Sequence, residues 1–315
     1  MHRVRKTNYF YFDNTRLDLA DEDFGYFKQL LIDNNIDELC QEMCNKNKVD
    51  CFISYLVVID DLDNFILITD RTDTYIHSNE CRYFRMAVYN NSYDIAKYLL
   101  ENGANVHVCN SYAITCASGF GKFYVFHSEK KEKRDTVELV KLLIDYNAMV
   151  GTDTCNLVHR AIDANRLDVV KILVENGADI FSNQSKLLKS AVMYNYDILE
   201  YLISQGIDVT DDNNSVLKFA VSRGYDCVDL LLYAGADMNA LRSEDVSKAI
   251  LMKGSEIIET LNNNGYDFVC LNGFSNTIID THTSKIINIL NNRVSMTDVA
   301  SILLYNSKYD DNYRK

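Results

Sequence analysis

A chain of 315 residues with 47% hydrophobic and 24% charged side chains has an ordinary globular composition, with ample material for a core. Its formal charge of −13 repels phosphate, which argues against general nucleic-acid binding and makes a basic surface the natural electrostatic complement. Nine cysteines without framework spacing read as reduced thiols, Cys116, Cys155 and Cys227 among them as small packed residues. No apolar run reaches the roughly 18 residues of a membrane span.

Residues 1–80 carry no clean repeat. Met1-His-Arg-Val-Arg-Lys6 is basic, but no apolar signal region follows it. The chain is therefore expected in the cytosol or nucleus and not secreted. The sequons at Asn90, Asn183 and Asn213 then read as accidents of a high asparagine content. Glu38-Leu-Cys-Gln-Glu-Met43, followed by Asn47, predicts a worn helix with its cap, and the apolar stretch 51–70 is either helical or extended. The region reads as degenerate repeats capping an array, or as a small separate module.

From residue 81 to 272 several columns of residues keep step. Gly103, Asn147, Gly177, Gly206, Gly235 and Gly265 each end an acid-then-apolar run, and most lie 29 or 30 positions apart. An acid opens each run: Asp94, Glu138, Asp168, Asp197, Asp226 and Glu256. In a first helical turn it meets the positive end of the helix dipole. Five residues later comes Leu99, Leu143, Leu173, Leu202, Leu231 or Leu261, part of an apolar face. Upstream stand Ala87, Ala117, Ala161, Ala191, Ala220 and Ala249, small enough for two helices to approach closely. Phe84, Ile114, Val158, Leu188, Leu217 and Val246 lie three positions before them. The glycine predicts a residue of positive φ after a helix, a conformation that Asn147 tolerates next best. A period of this size means stacked supersecondary units.

Six repeats follow, at about 81–110, 111–154, 155–184, 185–213, 214–242 and 243–272. The second holds an insert of 14 residues near 120–134, placed between its two helices. Residues 273–315 contain a weak helix at 298–306 and a polar tail, which suits a C-terminal cap with a water-facing side.

Tests for chemistry come out empty. Ser118-Gly-Phe-Gly-Lys122 lacks the first glycine and the hydroxyl residue of a phosphate loop, and it follows a helix rather than a strand. Cys40, Cys44 and Cys51 have no nearby histidine to complete a zinc site. No serine or cysteine has a marked base: His107, His127 and His282 fall in predicted loops, and His159 is in a repeat column. No enzyme activity, cofactor or metal is expected. Glu129-Lys-Lys-Glu-Lys-Arg134 is the one basic cluster, either a localisation or acidic-partner signal or, more plainly, a solvated loop. Arg85, Thr115, His159, Lys189, Lys218 and Ser247 share one column. Its cations form either a positive ridge or a set of local bonds to neighbouring turns.

At these residues the chain resembles the ankyrin-repeat family. Asn156-Leu-Val-His-Arg-Ala161 is similar to the family's Thr-Pro-Leu-His-x-Ala helix start, and Leu167-Asp-Val-Val-Lys-Ile-Leu-Val-Glu-Asn-Gly-Ala-Asp179 to its second helix and turn. The repeats are shorter than the family's, proline is absent, and histidine survives in its column only at His159. Short repeats rich in Asn, Tyr, Ile and Lys resemble the ankyrin proteins of giant DNA viruses. The resemblance implies an all-α solenoid of stacked helix-turn-helix units. It also implies a monomeric, non-enzymatic scaffold that holds a viral or host protein on its concave face. The turn residues Asn105, His107, Asp179, Phe181, Asp208, Thr210, Asp237 and Asn239 are the implied partner-binding positions. An alternative implied by viral relatives is a substrate-recognition adaptor of a ubiquitin ligase, acting through a divergent terminal module.

Overall fold

The computed structural model describes residues 9–12, 15–18, 22–119, 135–151, 155–223, 227–242, 245–246, 259–261 and 263–266. The insert at 120–134, the basic cluster within it, Asp226, Ser247, Ala249, Glu256, the helix at 298–306 and the polar tail lie outside these residues. Contacts divide the chain into two compact units, residues 1–178 and 179–315.

The first unit opens with a two-stranded antiparallel hairpin, β1 (Tyr9–Phe12) and β2 (Thr15–Asp18), with Tyr9 opposite Asp18. Strands of four residues are too short for their alternation to stand out in a sequence. β2 lies against α3.

Ten helices follow in five hairpins: α1 (Glu22–Ile32) with α2 (Ile36–Asn45), and α3 (Val49–Ile59) with α4 (Leu62–Arg71). Then come α5 (Ser78–Tyr89) with α6 (Tyr93–Glu101), α7 (Val108–Ser118) with α8 (Thr136–Asp145), and α9 (Cys155–Asp163) with α10 (Leu167–Glu175). The apolar stretch 51–70 is thus helical. Packing makes two rows. α3, α5, α7 and α9 form one, each against the next, and α2, α4, α6, α8 and α10 form the other. The second unit holds α11 (Gln184–Tyr194) with α12 (Tyr196–Ser204), and α13 (Asp211–Arg223) with α14 (Val228–Tyr233). A single turn of 3-10 helix, Met238–Ala240, comes after α14. Within that unit α11 packs on α13.

Helices this short are marginal alone, so their stability comes from the faces they bury. The sequence columns are those faces. Leu99, Leu143, Leu173, Leu202, Leu231 and Leu261 are fully buried, as are Ala87, Ala161, Ala191 and Ala220, and Ala117 is nearly so. Phe84, Ile114, Val158, Leu188, Leu217 and Val246 are also fully buried.

The glycine and leucine columns belong to one device. Gly103, Gly177, Gly206, Gly235 and Gly265 all have φ near +90°, and Asn147 stands at +62°. The N–H after the cap reaches back to the leucine carbonyl, as in Ala104 to Leu99 at 2.9 Å, Ala148 to Leu143 at 2.9 Å and Ala178 to Leu173 at 2.9 Å. This is the Schellman closure, which satisfies carbonyls that a helix end leaves bare. Four of the first-unit hairpins close their other ends in the same way, with Asn34, Asp60, Asn91 and Asn165 in the left-handed region. There the N–H of Ser92 donates to Ala87 O at 2.8 Å and that of Arg166 to Ala161 O at 2.9 Å.

One helix takes its cap from the neighbouring hairpin. Ser92 precedes α6 without capping it. Instead the Asp60 carboxylate accepts from the N–H groups of Asp94 at 3.3 Å and Ile95 at 3.1 Å.

Candidate functional site: the turn tips

Just past several caps the side chains alternate between buried and outward-facing. The first and third residues after the cap are buried at three tips, as Ala148 and Val150, Ala178 and Ile180, and Ile207 and Val209. The second and fourth face outward. They are Asn105 and His107 in the first unit, and Asp179 and Phe181, Asp208 and Thr210, Asp237 and Asn239 in the second.

The two members of each outward pair differ in what they do. The first folds the turn. Asn105 Oδ1 accepts from His107 N–H at 2.9 Å, and Asp179 Oδ1 from Phe181 N–H at 2.8 Å and Ser182 N–H at 3.1 Å. Asp208 Oδ1 accepts from Thr210 Oγ1 at 2.7 Å and its N–H at 2.8 Å, and Asp237 Oδ1 from Asn239 N–H at 2.9 Å. The Ser182 hydroxyl, then the Phe181 N–H, hold the Asp179 carboxyl below the usual carboxylate range. The Thr210 hydroxyl and N–H do the same for Asp208. The second member is presented to solvent. His107, Phe181, Thr210 and Asn239 are all exposed, Phe181 at 55%, and chemically they have little in common. The first residue of each pair thus folds its turn and the second is exposed, with the Thr210 hydroxyl and the Asn239 amide also donating back to Asp208 and Asp237.

In the second unit neighbouring tips are tied at fixed spacing. Gln184 Oε1 accepts from Asp208 N–H at 2.7 Å, and Asn214 Oδ1 from Asp237 N–H at 2.8 Å. Asp211 Oδ2 accepts from Ser185 N–H at 3.2 Å.

Three tips lead into the next helix through three consecutive left-handed residues: Asn79–Glu80–Cys81, Cys109–Asn110–Ser111 and Asp212–Asn213–Asn214. A residue with a Cβ is disfavoured there by about 1–2 kcal/mol, less for Asn and Asp. The mixed column supplies compensation. Arg85 Nε donates to Glu80 O at 3.0 Å and its Nη2 to Asn79 O at 3.2 Å. Thr115 Oγ1 donates to Ser111 O at 3.0 Å and Lys218 Nζ to Asn213 O at 2.7 Å. His159 Nδ1 lies 3.0 Å from Asp163, and Lys189 Nζ 3.8 Å from Asp212. Of the two readings of this column, local bonding describes it and an open positive ridge does not. No sequence signal marks the left-handed triplets, because glycine is absent from all three.

The remaining candidates fare as follows. Ser118 and Gly119 end α7, and the rest of that glycine-bearing segment lies outside the described residues. Among the described residues no group of three or more His, Cys, Asp or Glu is placed to hold a metal. Burial pushes the Cys116 thiol up to about 11 and raises Cys40, so both favour the protonated, poorly nucleophilic form. Among the described residues no helix is long and apolar enough to cross a membrane. His127 and His282 lie outside the described residues.

Sequence reasoning passed over one exposed apolar group, Met193, Tyr194 and Tyr196, at the corner between α11 and α12. Its signal is the lack of any polar pair between the two helices.

The geometry agrees with what known proteins resemble the chain. A family profile described as ankyrin repeats in three copies matches residues 84–184 and 181–242. The chain is 98% identical over its whole length, and over the whole of the relative, to the ankyrin repeat protein R600 of Acanthamoeba polyphaga mimivirus. It is 26% identical to R599 of the same virus, over 49% of this chain and 43% of that one. Among solved structures, the ankyrin repeat domain of human ASB11 superposes with a TM-score of 0.51 at 16% identity, covering 68% of this chain and 98% of that domain.

Proposed function

The chain belongs to the ankyrin-repeat family, whose repeats generally mediate contacts between proteins, and on that premise we propose that it is a non-enzymatic, monomeric scaffold holding a protein partner on its concave, tip-bearing face. One observation carries this reading. At the four tips that follow Gly103, Gly177, Gly206 and Gly235 the second residue after the cap is consumed in folding the turn, and the fourth is exposed and different. A constant frame that presents a variable side chain once per repeat is what recognition of an extended protein surface requires. Phe181, Thr210 and Asn239 form one such series in the second unit, and Phe181 supplies the aromatic anchor typical of binding hot spots. The hairpins of residues 22–71 are, in this reading, divergent repeats that extend the array.

The test is affinity purification from amoeba cells expressing wild-type chain or the combined variant Phe181→Ala, Thr210→Lys, Asn239→Ala. The expected result is a protein retained by the wild type and lost by the variant, with the variant melting only slightly lower, because Thr210→Lys and Asn239→Ala each remove one side-chain hydrogen bond within a tip. Equal retention overturns the assignment to these tips. Ligase subunits retained by both would favour the adaptor reading.

A further inference from the structure

We propose that the corner joining α11 to α12 is a second docking surface, and that its occupant is an arginine-bearing segment of another polypeptide. This goes beyond the tip surface. α11 has 11 residues and starts just after Phe181, so its far end lies about 16 Å from that tip.

The corner differs from its counterparts. Elsewhere the two helices of a hairpin are joined by polar residues, such as Asp33, Asn34 and Asn35, Asp60 and Asp61, or Asn90, Asn91 and Ser92. Here a single residue, Asn195, ends one helix and starts the next in extended conformation, with φ −161° and ψ 121°. Its N–H donates to Ala191 O at 2.9 Å. Its Oδ1 accepts from Asp197 N–H at 2.7 Å and Ile198 N–H at 3.2 Å. The one polar linking residue is thus spent on holding the corner rigid.

What faces water is apolar and aromatic. Met193 and Tyr194 are each 48% exposed, and Tyr196 is 52% exposed. Tyr194 ends α11 and Tyr196 starts α12, so both exposed rings lie within one residue of the corner. Asp197 and Glu200 are exposed beside them, and Glu200 follows Tyr196 by four positions on the same helical face.

Ring faces next to carboxylates are complementary to a guanidinium, which stacks on aromatics and pairs with carboxylates. The complement is not a second copy of this chain. A chain of charge −13 would set the same two acids against each other across a symmetric contact. Anionic lipid is disfavoured for the same reason.

The test uses the full chain and a fluorescent peptide of alternating arginine and glycine, followed by anisotropy at low salt. The wild type should bind it. The double variant Tyr194→Ser, Tyr196→Ser should bind about tenfold more weakly. The variant Asp197→Asn, Glu200→Gln should weaken binding and flatten its salt dependence. The tyrosine variant should melt with the wild type, since its altered side chains are exposed, and the acid variant slightly lower, since Asp197 sits in the first turn of α12. Any of four results would overturn the proposal. The first is no binding by the wild type. The second is unchanged binding by the tyrosine variant. The third is an equal loss in the control Asp212→Asn, Asp229→Asn, which would mean general acidity. Dimerisation abolished by the tyrosine changes would give the corner to a second copy and overturn it likewise.

Discussion

The hairpins of residues 22–71 and those of 78–101 and 155–175 close their corners with the same backbone and fill them with different side chains. Four and seven positions before the left-handed corner residue, the later hairpins place Ala87 and Phe84, or Ala161 and Val158. The earlier ones place Leu30 and Phe27, or Leu56 and Ile53. The helix-ending caps differ likewise: Asn47 and Asp73 stand where Gly103 and Gly177 do later. An aromatic cluster accompanies the larger side chains: Phe24 and Phe52 contact each other and both contact Phe27 and Tyr55, at centroid distances of 5.7 to 6.3 Å. A left-handed residue and a buried face are the physical requirements, and glycine and alanine are one way to meet them.

Exchanging the two fillings is the sharpest way to break this comparison. Leu56→Ala should lower stability by about 2–5 kcal/mol, as should Leu173→Ala in a later hairpin, because each leaves a cavity at a fully buried position. Urea midpoints measure both, and negligible shifts would mean these residues are not core. The reverse exchange, Ala87→Leu, should cost about 1–3 kcal/mol through overpacking. A neutral result would make the two interiors interchangeable.

The caps give smaller effects. Gly103→Ala should cost about 1–2 kcal/mol. No atom stands within 4 Å of the added Cβ, so the loss would come from φ +91° alone. Asn47→Gly should change stability little, since asparagine already tolerates its φ of +55°. Asp60→Gly keeps the left-handed freedom and removes the cap of α6, at a cost of about 0.5–2 kcal/mol.

The smallest effect concerns acid. The Asp208 carboxyl is held below its ordinary value of 3.8, so its contribution is present at neutral pH. That contribution fades as pH falls below about 4, through the lower folded-state value. The melting difference between wild type and Asp208→Ala should therefore shrink between pH 6 and pH 2.5. A difference constant over that range would mean the carboxylate form is not what folds the tip.

Much of this was legible in the sequence. The columns of leucine, alanine and glycine give the helices, their buried faces and their caps from residue 81 onward, and the outward turn positions follow from the caps. The rest was hidden for identifiable reasons. In residues 22–71 larger side chains replace alanine at the helix contact and Asn or Asp replaces glycine, so the pattern vanishes while the backbone persists. The left-handed triplets mix Asn and Asp, which tolerate positive φ, with Cys, Ser and Glu, which do not announce it, and contain no glycine. The split between Asp179 and Phe181 depends on hydrogen bonds to backbone N–H groups that residue identity alone does not reveal.

The loan of a carboxylate from Asp60 to α6 bears on how the stack can be cut. Units joined only by apolar surface could be trimmed one at a time, each loss exposing a greasy face and nothing more. Removing the hairpin that contains Asp60 would also strand two amide protons at the start of the next one. A fragment beginning at residue 78 should therefore fray at α6 before anywhere else, and hydrogen exchange at Asp94 and Ile95 is where that fraying would first be seen.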